Sequence, residues 1–366
     1  MERRRFEEIE VMRIIGFLMV VDQHILGGYA QRVDASFADS MVLYFFHLLG
    51  RPAVPMFIAI TGFTLFYTNY GKINIKEYYR KRLGTIVIPY LFWSFASIII
   101  FKEWSMFKEL IPILMTGLAS YHLWYMAMSI RLYIWFPLVL AMASWVIKRK
   151  AVVQGLVFVL SCVGYWIILR EIGPLTNGFA EFFFGAPTFL EKRFVGYSPI
   201  FYSLYLICGI VVCLKYDRFK AFVLKHSKTI IVTYIPLLIY MYYTQICNSL
   251  PEKFPRISYE HALYILYMLQ TTVVVYIISL NISKKAVKQK STILNLGALS
   301  YGAYLVHVIV LQYIAPAFRR WVPIESYLAS GIIIFVITIT LSYVVCYLIR
   351  LTPLSRYIIG VRSASR

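Results

Sequence analysis

Apolar runs long enough to cross a membrane recur along the whole chain. They lie at 11–31, 41–67, 84–101, 121–147, 152–169, 200–214, 229–247, 259–281, 296–315 and 326–349. A run of about 20 apolar residues crosses the hydrocarbon core as a helix, because a helix satisfies its own backbone hydrogen bonds there. The pattern therefore predicts an all-α fold, a polytopic membrane bundle of about ten helices. We expect a single domain over residues 1–366, without a long soluble insertion.

The composition supports this class and excludes a soluble domain. Of the 366 residues, 60% are hydrophobic and 15% are charged, whereas soluble domains contain about 25% charged residues. The net charge of +20 comes largely from basic segments at alternate ends of the spans, such as 80–82, 148–150 and 284–290. Such segments are typical of cytoplasmic loops that face anionic lipid headgroups. They predict cytoplasmic N- and C-termini, and no nucleic-acid-binding motif accompanies them.

The first predicted span contains RIIGFLMVVDQHILGG at 13–28, with polar residues that a simple anchor does not need. Each charged side chain inside a bilayer costs about 2.5–3.5 kcal/mol. Arg13 and His24 are eleven residues apart, which places them on one helix face, about 20° from alignment and about 16 Å apart. Asp22 points to nearly the opposite side, where we expect it to contact another span. A snorkelling Arg13 and a hydrogen-bonded structural His24 explain the residues alone equally well.

Histidines concentrate in the spans or at their outer ends. Five of the six do so, namely His24, His47, His122, His261 and His307. Imidazoles that face one outer cavity would suit general-base chemistry or proton-coupled transport. No local ligand spacing such as HxxxH occurs, and the five cysteines form no CxxC pair. The sequence therefore predicts neither a metal site nor a disulfide framework.

Two further spans carry polar residues near their outer ends. His47 and Arg51 form an i,i+4 pair that is followed by Pro52 and Pro55, which we expect to break or bend the helix. His122 lies at the outer end of the fourth span. Both a buried structural pair and a substrate-facing site fit these residues.

The basic cluster Arg80, Lys81 and Arg82 opens the third span on the same predicted side as Arg13. It fits an ordinary cytoplasmic boundary, and it equally fits a site for the phosphates of a nucleotide-like donor, which arginine binds with two parallel hydrogen bonds. On the outer side, we expect 102–120 to form a short amphipathic helix. The aromatic segment 170–200 is expected to be an interfacial re-entrant loop or a lid over an outer cavity.

Five blocks together resemble the membrane-bound acyltransferase family 3. They are the first-span arginine and histidine, RPAVPMFIAITGF, RKRLGTIVIPYLFWS, YHLWYM and LSYGAYLVH, in that order along about residues 6–350. Members of this family are O-acyltransferases that act on surface polysaccharides and related glycans. The HLWY and PYLFWS blocks resemble the branch that modifies bacterial glycans and lipid-linked sugars, which implies a bacterial plasma-membrane protein.

The resemblance implies an acyl-CoA donor, with acetyl-CoA expected first. The family links activity to the first-span arginine and histidine, which match Arg13 and His24. Its basic motif has two arginines separated by two residues and falls on Arg80–Arg82. Here the arginines are separated by one residue and position 85 is Thr, so either arginine can carry the role. The donor phosphates are expected at Arg80, Lys81, Arg82 and Arg13.

The resemblance also implies an acceptor hydroxyl on a cell-surface or lipid-linked glycan. His24 would activate it, either as a general base or through an acyl-imidazole. Arg51 and His122 would orient the acceptor or stabilise the oxyanion. The alternative from another class is a proton-coupled transporter or flippase of a glycan precursor, which would use the histidines as proton relays.

Overall fold

The computed structural model describes residues 6–363 except 33, 72, 251, 258–260 and 323–324, and it is helical without strands over that part. The first five and last three residues of the predicted domain lie outside it. The helices are α1 (Glu7–Ala30), α2 (Phe37–Gly50), α3 (Ala53–Asn69), α4 (Ile75–Arg82), α5 (Ile88–Ile100), α6 (Leu110–Thr116), α7 (Trp124–Ile147), α8 (Ala151–Arg170), α9 (Ile172–Phe184), α10 (Phe189–Gly196), α11 (Ser203–Leu214), α12 (Tyr216–Lys225), α13 (Ser227–Ser249), α14 (His261–Lys285), α15 (Lys290–Trp321), α16 (Tyr327–Arg350) and α17 (Ser355–Ile359).

Nine helical segments within the described residues are long and apolar enough to cross a membrane. They overlap the second to tenth predicted spans, which confirms the polytopic all-α fold. The first predicted span forms the 24-residue helix α1, although α1 is not among those nine segments.

The segment 170–200 is mostly helical, where the sequence indicated a loop or lid punctuated by glycine and proline. It forms α9 and α10. Pro174 lies in the first turn of α9, where a missing backbone N–H costs little. Phe182 and Phe189 on these helices are strongly exposed. The segment 102–120 contains a 3₁₀ turn and the short helix α6. The short helix agrees with the prediction, and its amphipathic character and outer location stay predictions.

The chain divides into two compact units. The first comprises the described residues of Met1–Phe57, Lys215–Pro353 and Ser363–Arg366. At its centre, α1 packs against α2, α14, α15 and α16. Glycine also permits close approach between α1 and the start of α3, because a Cβ at Gly16 would lie 2.8 Å from the Met56 side chain. Small residues at helix contacts are typical of membrane bundles, where close backbones supply the packing.

The break between α2 and α3 follows from Pro52, which has no N–H to donate to the Leu48 carbonyl. That carbonyl accepts a hydrogen bond from the Tyr267 hydroxyl at 2.9 Å and a longer one from the Arg51 N–H at 3.2 Å. The neighbouring carbonyl of His47 accepts a hydrogen bond from the Gln23 side chain. Side chains of α14 and α1 thus satisfy backbone acceptors at the break, as buried backbone requires. The predicted helix break is confirmed.

The second unit comprises Ile58–Leu214 and Leu354–Arg362. Within it α3 and α11 cross closely, since a Cβ at Gly62 would lie 2.4 Å from the Leu206 carbonyl oxygen. The Trp93 indole donates to the Ile358 carbonyl at 2.8 Å. That bond ties the C-terminal helix α17 to α5.

Arg131, a charged residue inside α7, has a structural role in the second unit. Its guanidinium donates to the Phe194 carbonyl at 2.6 Å and to the Tyr197 carbonyl at 2.7 Å. The last carbonyls of a helix lack partners within the helix. Arg131 therefore caps the end of α10.

Candidate functional site

His24 packs against a second histidine, His307, inside the first unit. Their rings stack with centroids 5.3 Å apart and an interplanar angle of 26°. His307 is fully buried, and its Nδ1 lies 2.6 Å from the Tyr304 carbonyl oxygen. A carbonyl only accepts hydrogen bonds, so Nδ1 carries a proton. The backbone of α15 therefore fixes the ring on which His24 packs.

His24 also lines a pocket of about 330 Å³ at the C-terminal end of α1. The other lining residues are Ile25, Gly28, Tyr29, Arg32, Leu311, Gln312, Ala315, Pro316 and Arg319. Ligand pockets have volumes of about 300–1,000 Å³, so this one suits a small group or a single sugar unit. Gly28 keeps the pocket open, because a Cβ there would meet no atom within 4 Å. An imidazole therefore borders a volume that a hydroxyl-bearing ligand can enter.

A different face of α1 packs against α2 and excludes Asp22 from this pocket. A Cβ at Gly50 would lie 2.5 Å from Oδ2 of Asp22, so the buried carboxyl lies directly against α2. Its Oδ1 accepts no hydrogen bond from the described residues. The predicted contact of Asp22 with another span is confirmed, and this residue has no place in the pocket. In the same interface, the His47 ring of α2 packs directly on α1, because a Cβ at Gly27 would lie 2.3 Å from Nδ1 of His47.

Arg51 lies at the break between α2 and α3, within electrostatic reach of His47 and Tyr267. His47 in turn interacts electrostatically with His24. The first unit therefore brings His24, His47 and Arg51 into one polar region. The electrostatic interaction between His47 and Arg51 agrees with the i,i+4 pair that the sequence predicts.

Arg13 lies near the opposite end of α1. Its Nη1 donates to Oε1 of Glu10 at 2.8 Å. α1 is continuous between Arg13 and His24, so their separation along the helix axis is about 16 Å, as the sequence predicted. The charge of Arg13 is balanced by a carboxylate on its own helix.

In the second unit, α4 ends in the basic cluster Arg80, Lys81 and Arg82. Arg80 and Lys81 are exposed. Arg82 lies over two aromatic rings, with its guanidinium carbon 5.4 Å from the centroid of Tyr78 and 5.2 Å from that of Tyr133. Stacking of this kind orients a guanidinium and leaves its edge available for hydrogen bonds.

A π-helical turn at Leu83–Val87 follows the basic cluster, and such turns are frequent at functional sites. Its Gly84 faces Arg356, whose Nη2 lies 3.1 Å from the position that a Cβ would take. Arg356 thus lies beside the residue that precedes Thr85, where the sequence departs from the motif of the family it resembles. The sequence pattern did not indicate Arg356, because the two segments are far apart along the chain.

His122 lies in the second unit, whereas His24 lies in the first. It is buried, and its Nδ1 is 3.0 Å from the Ser120 hydroxyl. The structure therefore gives His122 its own local setting and leaves its predicted role in the acceptor site a prediction.

The pocket also contains two residues that the sequence did not single out, Arg32 and Arg319. Each looks like an ordinary charge at the end of an apolar run. The available signal was spacing, since His24, Gly28 and Arg32 recur every four residues, which forms a stripe along one side of a helix. No comparable signal connects Arg319 with them.

Comparison with known proteins gives one finding. A family model described as an acyltransferase domain matches residues 6–351. Searches among curated proteins and among solved structures give no match. The matched range runs from the residue before α1 to the residue after α16.

Proposed function

The chain belongs to the membrane-bound acyltransferase family 3, and on that premise we propose that it is an O-acyltransferase of surface glycans. It transfers an acyl group, acetyl in the first instance, from cytoplasmic acyl-CoA to a sugar hydroxyl of a cell-surface polysaccharide or lipid-linked glycan. Its membrane is the bacterial plasma membrane, and both termini are cytoplasmic, in line with the distribution of basic segments.

The observation that carries this proposal is the His24 pocket. An imidazole is the side chain best suited to accept and return a proton near neutral pH. His24 borders a pocket of about 330 Å³ and is braced by the ring of His307. A hydroxyl in this pocket would be within reach of a positioned base.

In the proposed transfer, the acceptor oxygen bonds to the acyl carbon while His24 takes the hydroxyl proton, and the carbon–sulfur bond of the thioester breaks. The proton then passes to the CoA thiolate, so the products are an ester and free CoA. An acyl-imidazole on His24 is the two-step route to the same products. Arg51 and His122 are proposed to orient the acceptor or to stabilise the oxyanion.

The proposed donor contacts are Arg80, Lys81 and Arg82, whose guanidinium and ammonium groups match CoA phosphates. Arg356 beside Gly84 is a further candidate contact. Arg13 is proposed to assist them. Because Glu10 already accepts a hydrogen bond from Arg13, this role requires Glu10 to release it.

Removal of a donor arginine tests this assignment. A hydrogen bond to a charged group contributes about 1.5–3 kcal/mol, so Arg82→Gln should raise the Kd for acetyl-CoA about tenfold or more. Titration calorimetry on the purified protein measures it. Arg149→Gln is the matched control, because Arg149 also stacks on an aromatic ring, 4.3 Å from the centroid of Trp145. Unchanged affinity for acetyl-CoA in both Arg82→Gln and Arg80→Gln would show that the two arginines do not contact the donor. The basic cluster would then reflect only the cytoplasmic side of the membrane.

Release of CoA tests the function as a whole. Purified protein in vesicles, with no ion gradient, should release CoA from labelled acetyl-CoA when a glycan extract is present. The label should then appear as an alkali-labile ester on the glycan. A transporter or flippase would release no CoA under these conditions, and that result would refute the acyltransferase proposal.

A further inference from the structure

Two arginines stand at the rim of the His24 pocket. Arg32 follows α1 and Arg319 lies in the last turn of α15, and both line the pocket. Tyr29 and Tyr327 form a ring pair with centroids 5.6 Å apart. The guanidinium carbon of Arg32 lies 5.8 Å from the ring of Tyr327, and that of Arg319 lies 5.6 Å from the ring of Tyr29. The tyrosine pair therefore holds one arginine on each ring.

The charge around the rim is positive. None of the residues that line the pocket is acidic. One neighbouring acid is Asp34, whose carboxylate accepts a hydrogen bond from the Tyr327 hydroxyl. That bond holds the pKa of Asp34 below its usual range, so Asp34 is ionised at neutral pH. Asp39 accepts hydrogen bonds from Ser326 and Leu328 on either side of Tyr327. The carboxylates therefore lie beside the rim, whereas the described lining of the pocket contains two guanidinium groups and no carboxylate.

A purely structural explanation accounts for only part of this arrangement. Cations stabilise the C-terminal ends of helices through the helix dipole, and each arginine lies at such an end. The dipole gives no reason for both to border one open volume above an imidazole. Arg320 shows the difference, because it lies at the same helix end and does not line the pocket.

We infer that the acceptor carries an anionic group, a carboxylate or a phosphate, which Arg32 and Arg319 bind while a hydroxyl of the same ligand reaches His24. The inference rests on the proposed function and specifies its substrate class. A guanidinium binds such groups with two parallel hydrogen bonds. The arrangement would select acidic glycans over neutral ones.

Protection of His24 from chemical modification tests this inference without relying on transfer activity. Diethyl pyrocarbonate modifies accessible imidazoles, and peptide mass spectrometry reports the rate at His24 alone. The probes are methyl glucoside, methyl glucuronide and methyl glucoside 6-phosphate, which share one ring and differ in charge. At constant ionic strength, the two anionic sugars should slow modification several-fold more than the neutral sugar. The Arg32→Gln, Arg319→Gln double variant should lose that preference, whereas Arg320→Gln should retain it.

Two other results would overturn the inference. One is equal protection by all three sugars, or protection by none of them. The other is protection by coenzyme A at least as strong as by the anionic sugars, which would make the arginines donor contacts. A chain with no transferase activity that still shows the charge preference would refute the proposed function and leave an anion-binding pocket.

Discussion

The two ends of α1 place their polar residues in different settings. At the N-terminal end, acids and bases pair with one another. Glu8 accepts hydrogen bonds from Lys220 at 2.9 Å and from the Tyr216 hydroxyl, and Glu7 pairs with Lys290 at 2.5 Å. At the C-terminal end, the polar side chains border a pocket of about 330 Å³. At one end the charged groups are satisfied by one another, and at the other they border an open volume.

The contrast separates charges that pair with one another from charges that border an open pocket. Buried charges without partners are costly, so an intrahelical or interhelical partner usually means a structural role. Arg32 and Arg319 rest on aromatic rings, which hold a guanidinium without neutralising it. Changes to Glu8 and changes to the pocket residues should therefore separate, with stability affected by the first and activity by the second.

The largest effect on acceptor binding is expected from filling the pocket. Gly28→Phe should place a ring in the open volume and raise the KM for the acceptor by on the order of 10²-fold, the scale of a misplaced substrate. Affinity for acetyl-CoA should be unchanged. The matched control is Gly164→Phe, since a Cβ at Gly164 on α8 also meets no atom within 4 Å. Normal acceptor kinetics in Gly28→Phe would show that this volume is not the acceptor site.

A smaller effect, and on stability, is expected at the N-terminal end of α1. Glu8→Gln removes the charge that Lys220 and Tyr216 contact and should lower the free energy of unfolding by about 1–3 kcal/mol. Turnover per folded molecule should be unchanged. Glu7→Gln is the control, because its partner Lys290 is 55% exposed and such pairs contribute less than about 1 kcal/mol. Thermal unfolding in detergent measures both, and equal losses would remove the distinction between them.

The N-terminal end of α1 should also show an acid limit. Burial raises the pKa of the Glu8 carboxyl, but the hydrogen bonds from Tyr216 and Lys220 outweigh it and hold the pKa below its usual 4.5. The carboxylate therefore stabilises the fold fully above pH 4.5, and this contribution is lost as the pH falls through the lowered pKa. Glu8→Gln should have a flatter stability profile below pH 4.5 than the parent protein.

Local geometry explains what could be predicted from the sequence. The spans follow from apolar run length, and the alignment of Arg13 with His24 follows from helix periodicity within one unbroken helix. The break at Pro52 follows from a missing backbone donor. Each of these properties depends on residues close together along the chain.

The rest of the site depends on contacts between distant segments. The stacking of His24 on His307 arises where α1 packs on α15. Arg32 rests on Tyr327 of α16, and Arg319 of α15 rests on Tyr29 of α1. None of these helices carries a local pattern that specifies these contacts. Arg356 lies beside Gly84 because α17 packs against the π-helical turn that follows α4. These two segments are also far apart along the chain.

His24 is proposed to activate the acceptor. Replacing this histidine by alanine, with a second histidine outside the pocket replaced as the control, tests that role most directly. His24→Ala and His226→Ala should be compared for labelled acetyl transfer at equal amounts of folded protein. His226 precedes α13 and packs on Phe222, outside the pocket. Loss of a positioned acid–base group costs about 10²–10⁴-fold, so His24→Ala should fall by that factor with unchanged acetyl-CoA affinity, and His226→Ala should match the parent. Transfer by His24→Ala within a few-fold of the parent would contradict the account.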